Sequence, residues 1–316
     1  MKSFAFVFPG QGSQSVGMLD AWGDHPAVLE TVQEASDALN EDVAQLIKNG
    51  PKEALALTTN TQPVMLVAGV AAWRVWRAEG GALPSVVAGH SLGEYSALVA
   101  AGVLTLSQAA PLVRFRAAAM QEAVPVGAGA MAAILGMEAD RVVAGCAEAQ
   151  ASFGPDSAEV VEAVNFNDPA QTVIAGSKAA VDKACEVLKA NGAKRALPLP
   201  VSAPFHSRLM KPAADRLQEK LAETALAAPQ IPVINNIDVS IQTDASAIRE
   251  ALVRQAYGPV RWVECVRAIQ ARGVSTVVEC GPGKVLAGLV KRIDPSLTGV
   301  ALYDPATLSD VRALLA

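Results

Sequence analysis

Metal ligands, charge and long apolar runs are all scarce in this 316-residue chain. Its four cysteines, at positions 146, 185, 265 and 280, form no C-x-x-C pair, and with only three histidines beside them a zinc site is not expected. Such sparse, unpaired cysteine usage reads as a reduced, cytoplasmic protein. No apolar run approaches the roughly 20 residues that span a bilayer; the most apolar stretch, Pro63 to Trp73, stops at Arg74. Met1-Lys2 followed by Phe4 to Phe8 looks superficially like a secretory leader. The run is short, however, and ends in Pro9-Gly10-Gln11-Gly12 without a small-residue cleavage site. Charged residues make up 18%, and the 26 Lys and Arg against 31 Asp and Glu leave a net charge of −5. That excludes a general binder of nucleic acid or anionic membrane, and leaves room for a local basic patch facing a small acidic partner.

What is present is apolar: 51% hydrophobic residues, enough for a sizeable core and against wholesale disorder. Short β-rich runs alternate with Ala/Leu-rich segments of helical period, which predicts an α/β fold with a mostly parallel sheet. Strands are expected at Phe4–Phe8, Val86–Gly89, Pro232–Asn236 and Thr276–Cys280, unalternating as in a sheet covered on both faces. Helices are expected at Thr61–Arg77, Ser107–Ala123, Lys211–Ala225 and Ser246–Ala256, with Pro111 unsettling the first turn of the second. Between about Val126 and Pro200 the order becomes β-α-β-β-α-β, the ferredoxin-like pattern. The expected organisation is therefore a small subdomain, 126–200, inserted between 1–125 and 201–316.

Gly89-His90-Ser91-Leu92-Gly93 directly follows the strand residues Ser85-Val86-Val87-Ala88 and precedes a helical run from Glu94. This G-x-S-x-G in a strand–turn–helix setting is a nucleophile elbow: glycines permit the tight turn, and the helix N-terminus aims N–H groups at an anion forming beside Ser91. The serine needs a base. His90 sits within the elbow and should point away; His25, before Pro26, reads as a surface or capping residue; His206 in Pro204-Phe205-His206-Ser207 remains. No aspartate is clearly placed as a third member, so a carbonyl or amide is the alternative orienting group in a Ser-His dyad.

Several motifs then recur in order. They are Gly10-Gln11-Gly12-Ser13-Gln14; the run from Gly89 to Leu98; Arg116 with Met120-Gln121-Glu122-Ala123; Asn165-Phe166-Asn167; Phe205-His206; Asn235-Asn236; and Gly281-Pro282-Gly283-Lys284-Val285-Leu286. In these the chain closely resembles, from end to end, the malonyl-CoA:acyl-carrier-protein transacylases. The resemblance implies an α/β-hydrolase-like large subdomain with a ferredoxin-like small one. It also implies attack by Ser91 on a thioester, His206 as base, and an oxyanion hole from the backbone N–H groups of Gln11 and Leu92. Arg116 would bind the malonyl carboxylate through its guanidinium fork; Arg114 competes for that role on residue type alone. Gln62 and Gln255 match pocket glutamines, and Asn165 or Asn167 would help at the cleft.

The implied reaction moves malonyl from malonyl-CoA to the phosphopantetheine thiol of acyl carrier protein by ping-pong chemistry, supplying fatty-acid elongation. No resident cofactor is expected: CoA is carried by the substrate and phosphopantetheine by the partner. Phe205 and Leu92 fit malonyl rather than methylmalonyl choice, although fatty-acid members often carry Ser before the base. A polyketide-synthase acyltransferase, a serine hydrolase of acyl thioesters and a catalytically dead docking module are the rivals. Carrier docking is expected on basic rim residues such as Lys211, Lys284, Lys291 or Arg292. Other signals weaken: Gly10-x-Gly12 and Gly127-x-Gly129-x-x-Ala132 lack the context of a dinucleotide fingerprint, and Gly283-Lys284 lacks the rest of a P-loop. Trp73 and Trp76 read as packing residues.

Overall fold

The computed structural model describes residues 3–201 and 203–316. The Met1-Lys2 start of the leader-like run and Ser202 of the second large segment lie outside them. Strands run, in chain order, β1 Phe4–Phe8, β2 Val86–Gly89, β3 Gly129–Leu135, β4 Val161–Asp168 and β5 Gln171–Ser177. They continue with β6 Arg195–Pro198, β7 Val233–Ile234, β8 Thr276–Cys280 and β9 Thr298–Leu302. Among the described residues these form two sheets, a five-stranded one ordered β7-β2-β1-β8-β9 and a four-stranded one ordered β4-β5-β3-β6.

All pairings in the first sheet are parallel. Both faces of β1 are buried, which explains its unbroken apolar run. Phe4, Phe6 and Phe8 enter a core with Trp73 and Trp76, while Ala5 and Val7 enter a second core with Val86, Ala88 and Trp262. Phe6 meets both tryptophans edge-on, at 5.6 and 5.4 Å between ring centroids. Each phenylalanine fully withdrawn from water contributes about 1.5–3 kcal/mol.

Two sequence expectations need correction. Pro232–Asn236 is a strand only over Val233–Ile234, because the Asn235 N–H turns to the Ser240 carbonyl in the following turn and Asn236 gives its N–H to Glu94 and its amide to the Gly89 carbonyl instead of the sheet. The edge strand β9 was not expected; its Thr-Gly-Val-Ala-Leu sequence carries a weak β signal, and it is mostly half-exposed. Pro111 is accommodated inside the helix Leu106–Glu122, which starts on a Thr105–Gln108 capping box.

The second sheet is antiparallel throughout. One face carries the helices Ala139–Ala151 and Lys178–Ala190. The other face packs on Ala119, Met120, Phe205 and Met210 of the main body. Strand β4 bulges around Asn165, which also bridges Val260. The concave space under this sheet therefore faces the end of β2. No helix of the described residues is long and apolar enough to cross a membrane.

Candidate active site

Strand β2 ends at Gly89, and the chain reverses through Ser91 at φ +53°, a conformation non-glycine residues rarely adopt. The turn is possible because its flanks are glycines: a Cβ on Gly89 would lie 1.9 Å from the Gly93 carbonyl carbon, and one on Gly93 2.0 Å from the Phe8 carbonyl oxygen. The N–H groups of Gly93, Glu94 and Tyr95 bond back to the carbonyls of His90, Ser91 and Leu92 at 2.9, 3.1 and 2.9 Å. The Ser91 N–H donates to Asn236 Oδ1 at 2.7 Å, and Asn236 Nδ2 donates to the Gly89 carbonyl at 2.7 Å. One asparagine thus staples the strained turn from both sides. Among the described residues no backbone carbonyl accepts the Leu92 N–H at the start of the helix Gly93–Ala100, where such donors favour an anion. Gln11, in the loop after β1, borders the same cavity, its side-chain oxygen accepting from Thr58 Oγ1 at 3.2 Å.

His206 is also held at positive φ, +66°. Its Nδ1–H donates to the Gln255 carbonyl at 2.9 Å, which sets the tautomer and leaves Nε2 to accept from Ser91 Oγ–H at 2.7 Å. The orienting group is therefore a backbone carbonyl. The ring is 4% exposed. Burial first, then the nearby Arg116 charge, hold its conjugate acid down at about 3. His90 turns away from Ser91, donating from Nε2 to Asn167 Oδ1 at 2.8 Å beside the Trp262 ring. His25 caps the helix Pro26–Leu39, its Nδ1 accepting from the Ala27 N–H at 3.2 Å.

Arg116 is 1% exposed. Its NH1 donates to Gln62 Oε1 at 2.6 Å, and its NH2 to Gln255 Oε1 at 3.0 Å and Ser91 Oγ at 3.3 Å. The guanidinium stands 5.4 Å from the centroid of the Tyr95 ring, and its buried Nε has no hydrogen-bond partner among the described residues. Arg114 points elsewhere, to Glu41, Asn60 and the Thr59 carbonyl. A cavity of about 120 Å³ brings together Gln11, Gln62, Ser91, Leu92, Arg116, Asn165 and His206, with Phe205 on its wall. Gln255 lies just behind, completely buried. Asn165 has a buried Oδ1 with no hydrogen-bond partner among the described residues. On its outer side His206 also borders a wider groove, about 850 Å³, between Val161–Ala163 of β4 and Tyr257.

Of the suggested docking cations, Lys211 pairs with Asp215 and Arg292 with Asp168. Lys284 and Lys291 are exposed. Sequence reasoning missed two residues of the site. Asn236 entered only as part of a shared motif, without its stapling of the elbow. Glu94, 2% exposed, accepts on one oxygen from the Asn236 N–H at 2.9 Å and from Gln255 Nε2 at 3.0 Å. A lone carboxylate in the apolar run from Gly93 to Ala100 was the available signal.

The acyl transferase domain family matches residues 5–299. The malonyl CoA-acyl carrier protein transacylase of Salmonella typhimurium is 54% identical over 310 residues, 98% of each chain. The crystal structure of an acyl-carrier-protein S-malonyltransferase from Burkholderia pseudomallei superposes with a TM-score of 0.95 at 64% identity, covering 98% of this chain and 99% of that one. A malonyl-transacylase solved in complex with its type II PKS acyl-carrier protein superposes at 0.94 with 51% identity, over 98% of both chains.

Proposed function

Because the chain belongs to the acyl transferase family, and within it to the malonyl-CoA:acyl-carrier-protein transacylases, we propose that the residues around Ser91 divide the work of that transfer as follows. The reaction moves the malonyl group from CoA to the phosphopantetheine thiol of acyl carrier protein. Ser91 Oγ attacks the thioester carbonyl as His206 Nε2 takes its proton. The resulting oxyanion is held by the N–H groups of Leu92 and Gln11. As the C–S bond breaks, the CoA sulfur takes the proton from His206, leaving malonyl as an ester on Ser91. The carrier thiol then attacks that ester, passing its proton through His206 back to Ser91 Oγ. Arg116 grips the malonyl carboxylate throughout, while Gln62 and Gln255 hold the guanidinium and Asn165 offers its amide to the acyl chain.

The observation that carries this reading is a single oxygen: Ser91 Oγ lies 2.7 Å from a base and 3.3 Å from a buried guanidinium. A plain esterase has no evident need for the second. The cycle draws on no resident cofactor, the thiol handle belonging to the partner. We place it in the cytoplasm, serving fatty-acid elongation, with the acidic carrier meeting exposed lysines such as Lys284 and Lys291. A polyketide carrier is the second reading, favoured by the similar structure that holds one, and relative rates with the two carriers decide between them.

The direct test is an intact mass after incubation with malonyl-CoA and no carrier. A malonyl-sized adduct mapping to Ser91, discharged by phosphopantetheinylated carrier, is expected. Steady CoA release without an adduct would make the protein a hydrolase.

The pH dependence follows from the base. A conjugate acid near 3 keeps His206 neutral far below the ordinary histidine range, so kcat/KM for malonyl-CoA should not fall through pH 6.5. Once a malonyl carboxylate sits on Arg116, its charge cancels part of the repulsion that disfavours the imidazolium. The acid limb of kcat should therefore lie at higher pH than that of kcat/KM. An acid limb of kcat/KM near 6.5 would refute the enclosure of the ring.

A further inference from the structure

We propose that Glu94 is the standing counter-ion of the carboxylate clamp: a positioning residue that balances Arg116 through the side-chain amide of Gln255 while no malonyl group is bound. In doing so it sets how strongly the site prefers an acyl group that brings its own carboxylate. This rests on the reading of Arg116 as that clamp.

A guanidinium 1% exposed needs compensation, yet the direct partners of Arg116 are all neutral: two glutamine carbonyl oxygens, the Ser91 hydroxyl and the face of Tyr95. None of the ion pairs among the described residues includes it. Compensation arrives one amide further out. Gln255 accepts from Arg116 on Oε1 at 3.0 Å and donates from Nε2 to Glu94 Oε2 at 3.0 Å. An amide between a cation and a carboxylate has one workable orientation, oxygen toward the cation and NH2 toward the anion. Glu94 thereby fixes the Gln255 side chain, and with it the second bond of that NH2, to the Ser91 carbonyl at 3.0 Å.

The intervening amide also explains how the fork stays open. A carboxylate paired directly with Arg116 would have to be displaced by malonyl. Held back behind Gln255, Glu94 offsets the charge without itself occupying the guanidinium. Its balance also makes the site tolerate an acetyl group, which leaves Arg116 unoccupied. Removing the Glu94 charge should make the substrate carboxylate matter more.

Burial raises the Glu94 carboxyl to about 7, against the opposing pull of Gln255, the Asn236 N–H and Arg116. The charged or titratable groups facing it are Arg116, Tyr95, Asp238 (paired with Arg254) and Cys265. Tyr95 is raised to about 12, Cys265 is raised, Asp238 is lowered and Arg116 stays a cation. His206, which reaches Arg116 across Ser91, is held at about 3. None of these changes charge between pH 6 and 8; Glu94 does.

The experiment measures kcat/KM for malonyl-CoA and acetyl-CoA, from pH 6 to 8, in the wild type, Glu94→Gln, Arg116→Ala and the double variant. At pH 8, Glu94→Gln should raise the malonyl-to-acetyl ratio by about fivefold, the scale of losing one buried charge at one amide's remove. In the wild type the ratio should climb as pH falls through about 7. In the Arg116→Ala background the Glu94→Gln effect should vanish. If Arg116→Ala lowers the ratio but Glu94→Gln does not raise it, or slows both substrates equally, this inference fails while the clamp stands. If Arg116→Ala leaves the ratio unchanged, the clamp itself is misassigned. Should Glu94→Gln not fold, a wild-type ratio that is flat from pH 6 to 8 overturns the inference alone.

Discussion

Ser91→Ala is expected to lower malonyl transfer by roughly ten-thousand-fold or more, the scale seen when a nucleophile is removed from an intact base and oxyanion hole. The fold should survive. Ser91 already occupies φ +53° as a non-glycine residue, so alanine adds no new backbone strain, and the Asn236 staple engages the backbone rather than the hydroxyl. What disappears is one hydrogen bond to His206 and a longer one from Arg116, about 1 kcal/mol in all and a few degrees of Tm at most. The variant should still bind malonyl-CoA and yield no adduct by intact mass. His206→Ala should cost a comparable factor, because an unassisted serine hydroxyl is a poor nucleophile. The double variant should be little worse than either single one, since the two residues act as a unit. A Ser91→Ala protein that still acquires a malonyl group would remove Ser91 from the mechanism, and additive losses in the double variant would break the dyad.

The parts of this protein legible in its sequence are those decided locally. Strands β1, β2 and β8 are buried on both faces, so their apolar runs announced them, and the four-residue spacing of Gly89 and Gly93 around Ser91 announced the elbow. His206 was reachable by elimination among three histidines. What stayed hidden was set by tertiary partners. The Gln255 carbonyl that orients His206 is a group every residue possesses, so no residue type signals it. Asn236 looked like the end of a strand, and leaves the sheet because Ser91, Gly89 and Glu94 supply better partners for its amide and backbone. Thr298–Leu302 pairs at a sheet edge with only Leu302 fully buried, and so lacks the apolar density that marked the inner strands. The choice of Arg116 over Arg114 came from family resemblance alone. The structure supplies a physical ground: the helix Leu106–Glu122 turns one arginine toward Gln62 and the other toward Glu41.

That choice yields the second large effect. Arg116→Ala should lower kcat/KM for malonyl-CoA by roughly a hundredfold, about 3 kcal/mol, the range for truncating one partner of a buried charge-assisted pair. Acetyl-CoA has no carboxylate for the fork and should lose far less. Acetyl transfer therefore rises relative to malonyl transfer. Part of the absolute loss will be structural, because Gln62 Oε1 and Gln255 Oε1 both lose their donor, and Gln255 also carries the carbonyl that orients His206. That part falls on both substrates equally and cancels in the ratio. Arg116→Lys separates the remaining terms. An ammonium restores the charge, but it cannot reach both glutamines and the substrate with a planar fork, so it should recover only a fraction of malonyl preference. Full recovery with lysine would mean that charge alone selects the substrate. A malonyl-to-acetyl ratio unchanged in Arg116→Ala would mean that the buried guanidinium serves the fold rather than the acyl group.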